Sequence, residues 1–479
     1  MENMQVNIIE KQDISSVEPE NLSDYKEYGE LLNSSSKLVE SLVSNAECAK
    51  LEILAKSDQE LEEAVIKIAQ GVAELSEEFV NEEYQQSKIG NIVDKTHKLS
   101  IVTDLASKDL LGIKTFGAIS EQDGVTEYAS PVGVIFAIVP LTNPIPNSLY
   151  KILNAIRTRN SIIISYPKKT VSIGLRLIKL VNSILSNLNF PKDLVQALPL
   201  TSSRELVQQV MSHPGIDLIL ATGGSSLVKA VLSSGNPAYT VGPGNVPALI
   251  FDDADLGHAS RCIVKSKAYD NGIICGSESN LIVDSRVYTA LIKELEQSGA
   301  AVLSESEKER ATQMWFEEQG GLKTSMVGKP AQYLAVIAGI ERDYLIRTLV
   351  IPCRAKEVEY YCWEKLAPVM SILNVHQSQL ISVAEKLLSM DGEGHTAAIH
   401  TMNKETELEC AERLSAGRIL VNCPATFGMM GVTSHLPISF MLGSGTWGSC
   451  ISTDAITWRH LLNIKRLSHY KENPIVNLY

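Results

Sequence analysis

Positive charge is scarce in this 479-residue chain: 43 Lys and Arg stand against 56 Asp and Glu, a formal net charge of -13. Such a surface repels phosphate backbones, which excludes nucleic acid as the expected partner. An anionic cofactor held by local donors is compatible with it. Long apolar runs are missing as well. The longest, PVGVIFAIVPL at 131–141, is bounded by prolines, while a bilayer span needs about 20 apolar residues. No basic leader followed by an apolar stretch opens the sequence, so no secretory signal is expected. Eight cysteines with no CxxC pair are too few for a disulfide framework, and no metal site is expected. Reduced thiols in a cytoplasmic protein follow. Neither a GxGxxG fingerprint nor a Walker loop is present.

What is there is an ordinary balance, 44% hydrophobic and 21% charged, in a chain long enough for two or three layered domains. Residues 1–30 read as a polar N-terminal extension. From about residue 31, Leu31, Leu32, Leu38, Val39, Leu42 and Val43 fall on one helix face. That pattern suits a first core helix. It also suits a docking peptide of the kind carried by enzymes of bacterial microcompartments. Beyond residue 130, VGVIFAIVP, SIIISYP, IDLILATGG, VPALIFDD and RILVNC alternate with helical segments. Near-continuous Val/Ile/Leu runs mark strands buried on both faces, hence an α/β fold with parallel sheet.

Three stretches have the composition of reactive sites. NGIICGSE at 271–278 puts Cys275 between a flexible Asn-Gly and a small Gly-Ser pair. The isoleucines alone suit a structural thiol; the small and polar flanks suit a nucleophile. IDLILATGGSSLVKAVLSSG at 216–235 reads as strand, glycine turn and helix. There Gly223 and Gly224 allow close backbone approach to a phosphate, and Ser225 and Ser226 can cap the helix or bond phosphate oxygens. PLTNPIPN at 140–147 holds Asn143 between prolines at a strand end. Its amide is placed either to donate to an oxyanion or to bond its own backbone as a turn residue.

TNP at 142–144, TGG at 222–224, VGPGNVP at 241–247, NGIICGSE, EKLAPVM at 364–370, GHTAAIH at 394–400 and GSGTWG at 443–448 occur in one order. That order and spacing resemble the aldehyde dehydrogenase superfamily, specifically its coenzyme A-acylating branch, over roughly residues 35–470. The resemblance implies Cys275 as the nucleophile and Asn143, with the Cys275 backbone amide, as the oxyanion hole. It implies Thr142, Thr222, Gly223, Gly224 and Ser225 beside the dinucleotide and Glu364 on the nicotinamide ribose. His395 of the GHTA motif would stand near the thiol.

It further implies a Rossmann-type nucleotide-binding domain over 31–240, carrying a dimerisation hairpin near 112–130. A catalytic domain over 241–425 and a returning, dimerising tail over 426–479 complete the expected architecture, in a homodimer or homotetramer. Hydrolytic relatives carry a water-activating glutamate where this chain has Val241, and valine is no base. Coenzyme A as acceptor follows, with a short-chain aldehyde as substrate and sulfoacetaldehyde as the alternative. SYPKK at 165–169, GGSSL and CGSES depart from commoner versions near the expected adenosine and phosphates, which leaves NAD and NADP both open. The rival readings are an acyl-phosphate reductase and an inactive structural homologue.

Overall fold

The computed structural model describes residues 22–199 and 203–471, with side chains from residue 35 onward. The predicted strand runs all form strands, and they sort into two parallel sheets. The first has five strands in the order Val195–Ala197, Ser161–Ser165, Val134–Ile138, Leu218–Thr222 and Ala238–Val241. Alternate residues of its central strands face opposite cores. Val134, Phe136 and Ile163 pack with Val39 and Val43 on one side, and Ile135, Ala137, Ile162 and Ile164 pack against the helices on the other. That two-sided burial is why these runs carry no polar alternation.

The second sheet has seven parallel strands, in the order Ala300–Val302, Thr348–Cys353, Val369–Val375, Glu278–Asp284, Val246–Ile250, Gly394–His400 and Ala416–Val421. A third, three-stranded antiparallel sheet pairs Gly117–Gln122 with Val125–Pro131 and adds Leu462–Ser468 to the latter. The hairpin and the returning tail therefore meet in one sheet.

The first helix spans Leu22–Glu52, so it begins before the residue 31 expected from apolar periodicity. Extending a helix adds one backbone hydrogen bond per residue fixed, so polar residues continue one that tertiary contacts already hold. Val39, Val43 and Ala46 of this helix are buried against the five-stranded sheet, as a core helix requires. Residues 1–21 of the expected extension lie outside the described residues, as do the side chains of Leu31 and Leu32. Among the described residues, no helix is long and apolar enough to cross a membrane, and no cluster of His, Cys, Asp or Glu has the makings of a metal site.

Candidate active site

Two sets of strand ends face each other across one cavity of about 290 Å³. From the five-stranded sheet come carboxyl ends: Asn143 follows Val134–Ile138, and Thr222, Gly223 and Gly224 close Leu218–Thr222. This is the edge where open parallel sheets bind ligands. From the seven-stranded sheet come amino ends. Gly244 precedes Val246–Ile250, Cys275 precedes Glu278–Asp284, Glu364 precedes Val369–Val375, and His395 opens Gly394–His400. Cys275, Asn143, Thr142, Thr222, Gly223, Gly224 and Glu364 all line the cavity, with Val241 among them. His395 stands behind the thiol rather than in the lining.

The loop bearing Cys275 is held rigidly. Asp270 and Asn271 both adopt left-handed backbone (φ 48° and 53°), and Asn271 Nδ2 donates to the Gly90 and Gly328 carbonyls at 2.8 and 3.0 Å. Gly244 allows the close packing of VGPGNVP on this loop, because a Cβ there would fall 1.8 Å from the Cys275 carbonyl oxygen. The Gly244 N–H donates to Glu364 Oε1 at 2.6 Å. Burial nevertheless pushes the Glu364 carboxyl up to about 7, against the pull of that bond.

Burial, with the Glu364 carboxylate next in effect, pushes the Cys275 thiol up to about 12, while Arg418 acts in the opposite direction. His395 Nε2 lies 3.3 Å from Cys275 Sγ, and its Nδ1 lies 2.9 Å from the Thr396 hydroxyl. Burial and the nearby Arg418 cation lower His395 to about 3, so its ring is neutral across the physiological range. In the tautomer with Nδ1 accepting from Thr396, Nε2–H is left to donate to a thiolate. His395 thus contacts the sulfur but, at about 3, is a weak base for its proton.

Alkylation reads this out. Without dinucleotide, inactivation by iodoacetamide is expected to rise about tenfold per pH unit between about pH 7 and 10, because only the thiolate reacts. A plateau below about pH 8 would show a thiolate already formed in the resting protein.

Two placements differ from expectation. Ser225 is exposed at the first turn of the helix Ser225–Leu232 and lies outside the cavity lining. Neither it nor Ser226 caps that helix: the cap position falls one residue earlier, on Gly224, which has no side chain to accept a backbone N–H. Asn143 precedes the helix Pro144–Arg157 without capping it, and its Oδ1 accepts from Lys98 Nζ instead. The side chain therefore makes no local cap of the kind a turn asparagine makes.

Thr222 Oγ1 is buried with no hydrogen-bond partner among the described residues. An orphaned hydroxyl beside a glycine turn and a helix N-terminus fits a dinucleotide phosphate. Sequence reasoning missed Lys98 and Arg418. Arg418 Nη2 donates to the His395 and Gly443 carbonyls, both at 2.7 Å, and the residue makes no ion pair among the described residues. The charge inside the apolar strand run GRILV was the available signal. Lys98, in DKTHK, resembles a solvated helix face and carried none.

Residues 8–435 match the aldehyde dehydrogenase family. The sulfoacetaldehyde dehydrogenase (acylating) of Cupriavidus necator is 31% identical over 447 residues, covering 90% of this chain and 89% of that protein. Aldehyde-alcohol dehydrogenase 2 of Entamoeba histolytica is 33% identical over 399 residues, which are 80% of this chain and 46% of that protein. The chain therefore spans about half the length of that relative. The crystal structure of an acetylating aldehyde dehydrogenase from Geobacillus thermoglucosidasius matches with a TM-score of 0.86 and 33% identity, over 92% of this chain and 98% of that one. With a cysteine on a rigid loop facing an amide donor and a glycine turn, and with relatives of this kind, the chain belongs to the aldehyde dehydrogenase family, in its coenzyme A-acylating branch.

Proposed function

We propose that the chain oxidises a short-chain aldehyde to an acyl-coenzyme A, reversibly, through a thioester on Cys275. The observation that carries this reading is Val241. It lines the same cavity as Cys275 at the position of the hydrolytic glutamate, and Glu364 is the one carboxylate in that lining. Water therefore has no dedicated activating base at that position.

Cys275 first gives its thiol proton to solvent. The thiolate Sγ then bonds the carbonyl carbon, and the carbonyl oxygen becomes an oxyanion facing Asn143 Nδ2 and the Cys275 backbone N–H. Thr142, Thr222, Gly223, Gly224 and Glu364 would hold NAD or NADP, which when bound would supply the hydride acceptor. Ser225 joins them through the helix N-terminus it opens. Loss of hydride from the carbon leaves the thioester. A coenzyme A thiolate then attacks the acyl carbon, and the C–S bond to Cys275 breaks, returning the cysteine as thiolate. His395 Nε2 hydrogen-bonds that sulfur before and after.

Acetaldehyde or propionaldehyde is our first substrate, and the Cupriavidus necator relative supports sulfoacetaldehyde as the second. A panel of aldehydes assayed with coenzyme A decides between them. We assign residues 31–240 to dinucleotide binding, 241–425 to catalysis and 426–479 to the return. The division at 241 falls on the last residue of the strand Ala238–Val241, just before the chain enters the seven-stranded sheet at Val246–Ile250. The three-stranded sheet is our dimerisation element, supported by the exposed apolar side chains of Tyr128 and Leu467.

Mixing protein, aldehyde and NAD+ without any thiol tests the function. One equivalent of NADH should form and then stall, and coenzyme A should restart turnover with ping-pong kinetics. Sustained release of free acid at the coenzyme A rate would make this a hydrolytic enzyme instead.

A further inference from the structure

A chain of four buried charges runs beneath the active site. Glu83 and Lys95 pair at 2.6 Å, Lys95 reaches Asp270 at 3.8 Å, and Asp270 pairs with Lys98. The charges sum to zero, and each side chain is at most 3% exposed. Lys98 ends the chain by donating from Nζ to Asn143 Oδ1. Its place in the fold gives this contact significance. Asp270 lies on the loop that carries Cys275 into the seven-stranded sheet. Asn143 immediately precedes the helix Pro144–Arg157 that leaves the five-stranded sheet. Lys98, on the helix Ile92–Ser100, touches both.

Asp270 is itself fixed. Its Oδ1 accepts from the Asn91 N–H at 2.7 Å, and its own N–H donates to Asp94 at 2.7 Å. Gly90 makes room for it, since a Cβ there would fall 2.1 Å from Asp270 Oδ1.

The two ends of an asparagine amide are nearly the same shape, and a side chain free to turn presents oxygen as readily as nitrogen. Oxygen facing an oxyanion repels it. Burial lowers the Lys98 pKa, and the Asp270 carboxylate paired with it counters that effect. As an ammonium, Lys98 donates three hydrogen bonds and accepts none, so it admits only the amide oxygen. The NH2 group is thereby left for the cavity, where no hydrogen bond among the described residues engages it. A charged donor on Oδ1 also polarises the amide and strengthens its N–H groups as donors.

We propose that Lys98, anchored by Asp270, is a positioning residue that fixes the Asn143 amide with its NH2 toward the reacting carbonyl oxygen. The inference rests on the aldehyde-oxidising reading above but not on the identity of the second nucleophile. Its test is the NADH burst in a single turnover without coenzyme A. Lys98→Met should slow that burst about tenfold or more, leaving NAD+ affinity, read by titration, within about twofold.

Its signature is non-additivity. Asn143→Ala should cost about 10²–10³ in the wild-type background but less than about threefold on top of Lys98→Met. Lys98→Gln, a neutral donor, should recover part of the rate. Circular dichroism establishes that each variant is folded. Should Lys98→Met not fold, the same cycle is run with Asp270→Asn, which keeps the Lys98 side chain and removes the carboxylate that anchors it and favours its charge, and the same non-additivity is expected. Full, additive cost of Asn143→Ala in both backgrounds overturns the proposal, as does a wild-type burst rate in Lys98→Met. A wild-type chain with no burst for any aldehyde overturns this proposal together with the proposed function. Acid released in place of acyl-coenzyme A overturns only the acylating reading.

Discussion

Cys275→Ser is expected to abolish turnover, by on the order of 10⁴-fold or more, while the protein stays folded. A serine hydroxyl is a weak nucleophile without an adjacent base, and no carboxylate hydrogen-bonds the Cys275 side chain among the described residues. His395, the one imidazole in reach among the described residues, is lowered to about 3 by burial, and Glu364 Oε1 accepts from the Gly244 N–H. The substitution is close to isosteric on a loop held by Asn271 and packed against Gly244, so thermal stability should change by about 1 kcal/mol or less. Turnover is measured over many equivalents of NADH, with the melting temperature recorded alongside. Activity above roughly one part in a hundred would place the nucleophile elsewhere. The structure offers little alternative: Cys262 is buried with its thiol pushed up to about 11, Cys423 hydrogen-bonds Thr433, and neither lines the cavity.

Asn143→Ala is expected to lower kcat by about 10²–10³, roughly 3 to 4 kcal/mol of transition-state stabilisation, with dinucleotide affinity little changed. The split between kcat and affinity is diagnostic. A donor aimed at the oxyanion is used after the thiol has attacked, so its loss falls on the chemical step. A residue that only shaped the turn before Pro144–Arg157 would instead weaken cofactor binding or stability. The geometry favours the first outcome, because the Asn143 side chain makes no local cap and spends its oxygen on Lys98. If affinity for NAD+ alone falls, Asn143 is a turn residue and the oxyanion is held by backbone only.

Much of this was legible in the chain itself. A strand buried on both faces has no polar positions, so Val134–Ile138, Ser161–Ser165 and Val246–Ile250 announced parallel sheet by composition. Cys275, Asn143 and the glycines of TGG sit at strand ends, where short motifs record local backbone demands. The absence of a glutamate at Val241 was likewise readable, because a missing base is a property of one residue.

What the sequence could not determine was which distant side chains share one electrostatic environment. Lys98 and Asp270 are 172 positions apart, and DKTHK has the composition of a solvated helix face; only the packing of Ile92–Ser100 under the Cys275 loop made it a buried ion pair. His395 was recognisable as a neighbour of the thiol, but its neutrality depends on burial and on Arg418 from the adjacent strand. Charge states belong to the surroundings and not to the residue, since desolvation and neighbouring charges decide them. Motifs therefore named the groups we propose to react, and only the tertiary structure showed their burial, their charged neighbours and the Lys98 contact on Asn143 Oδ1.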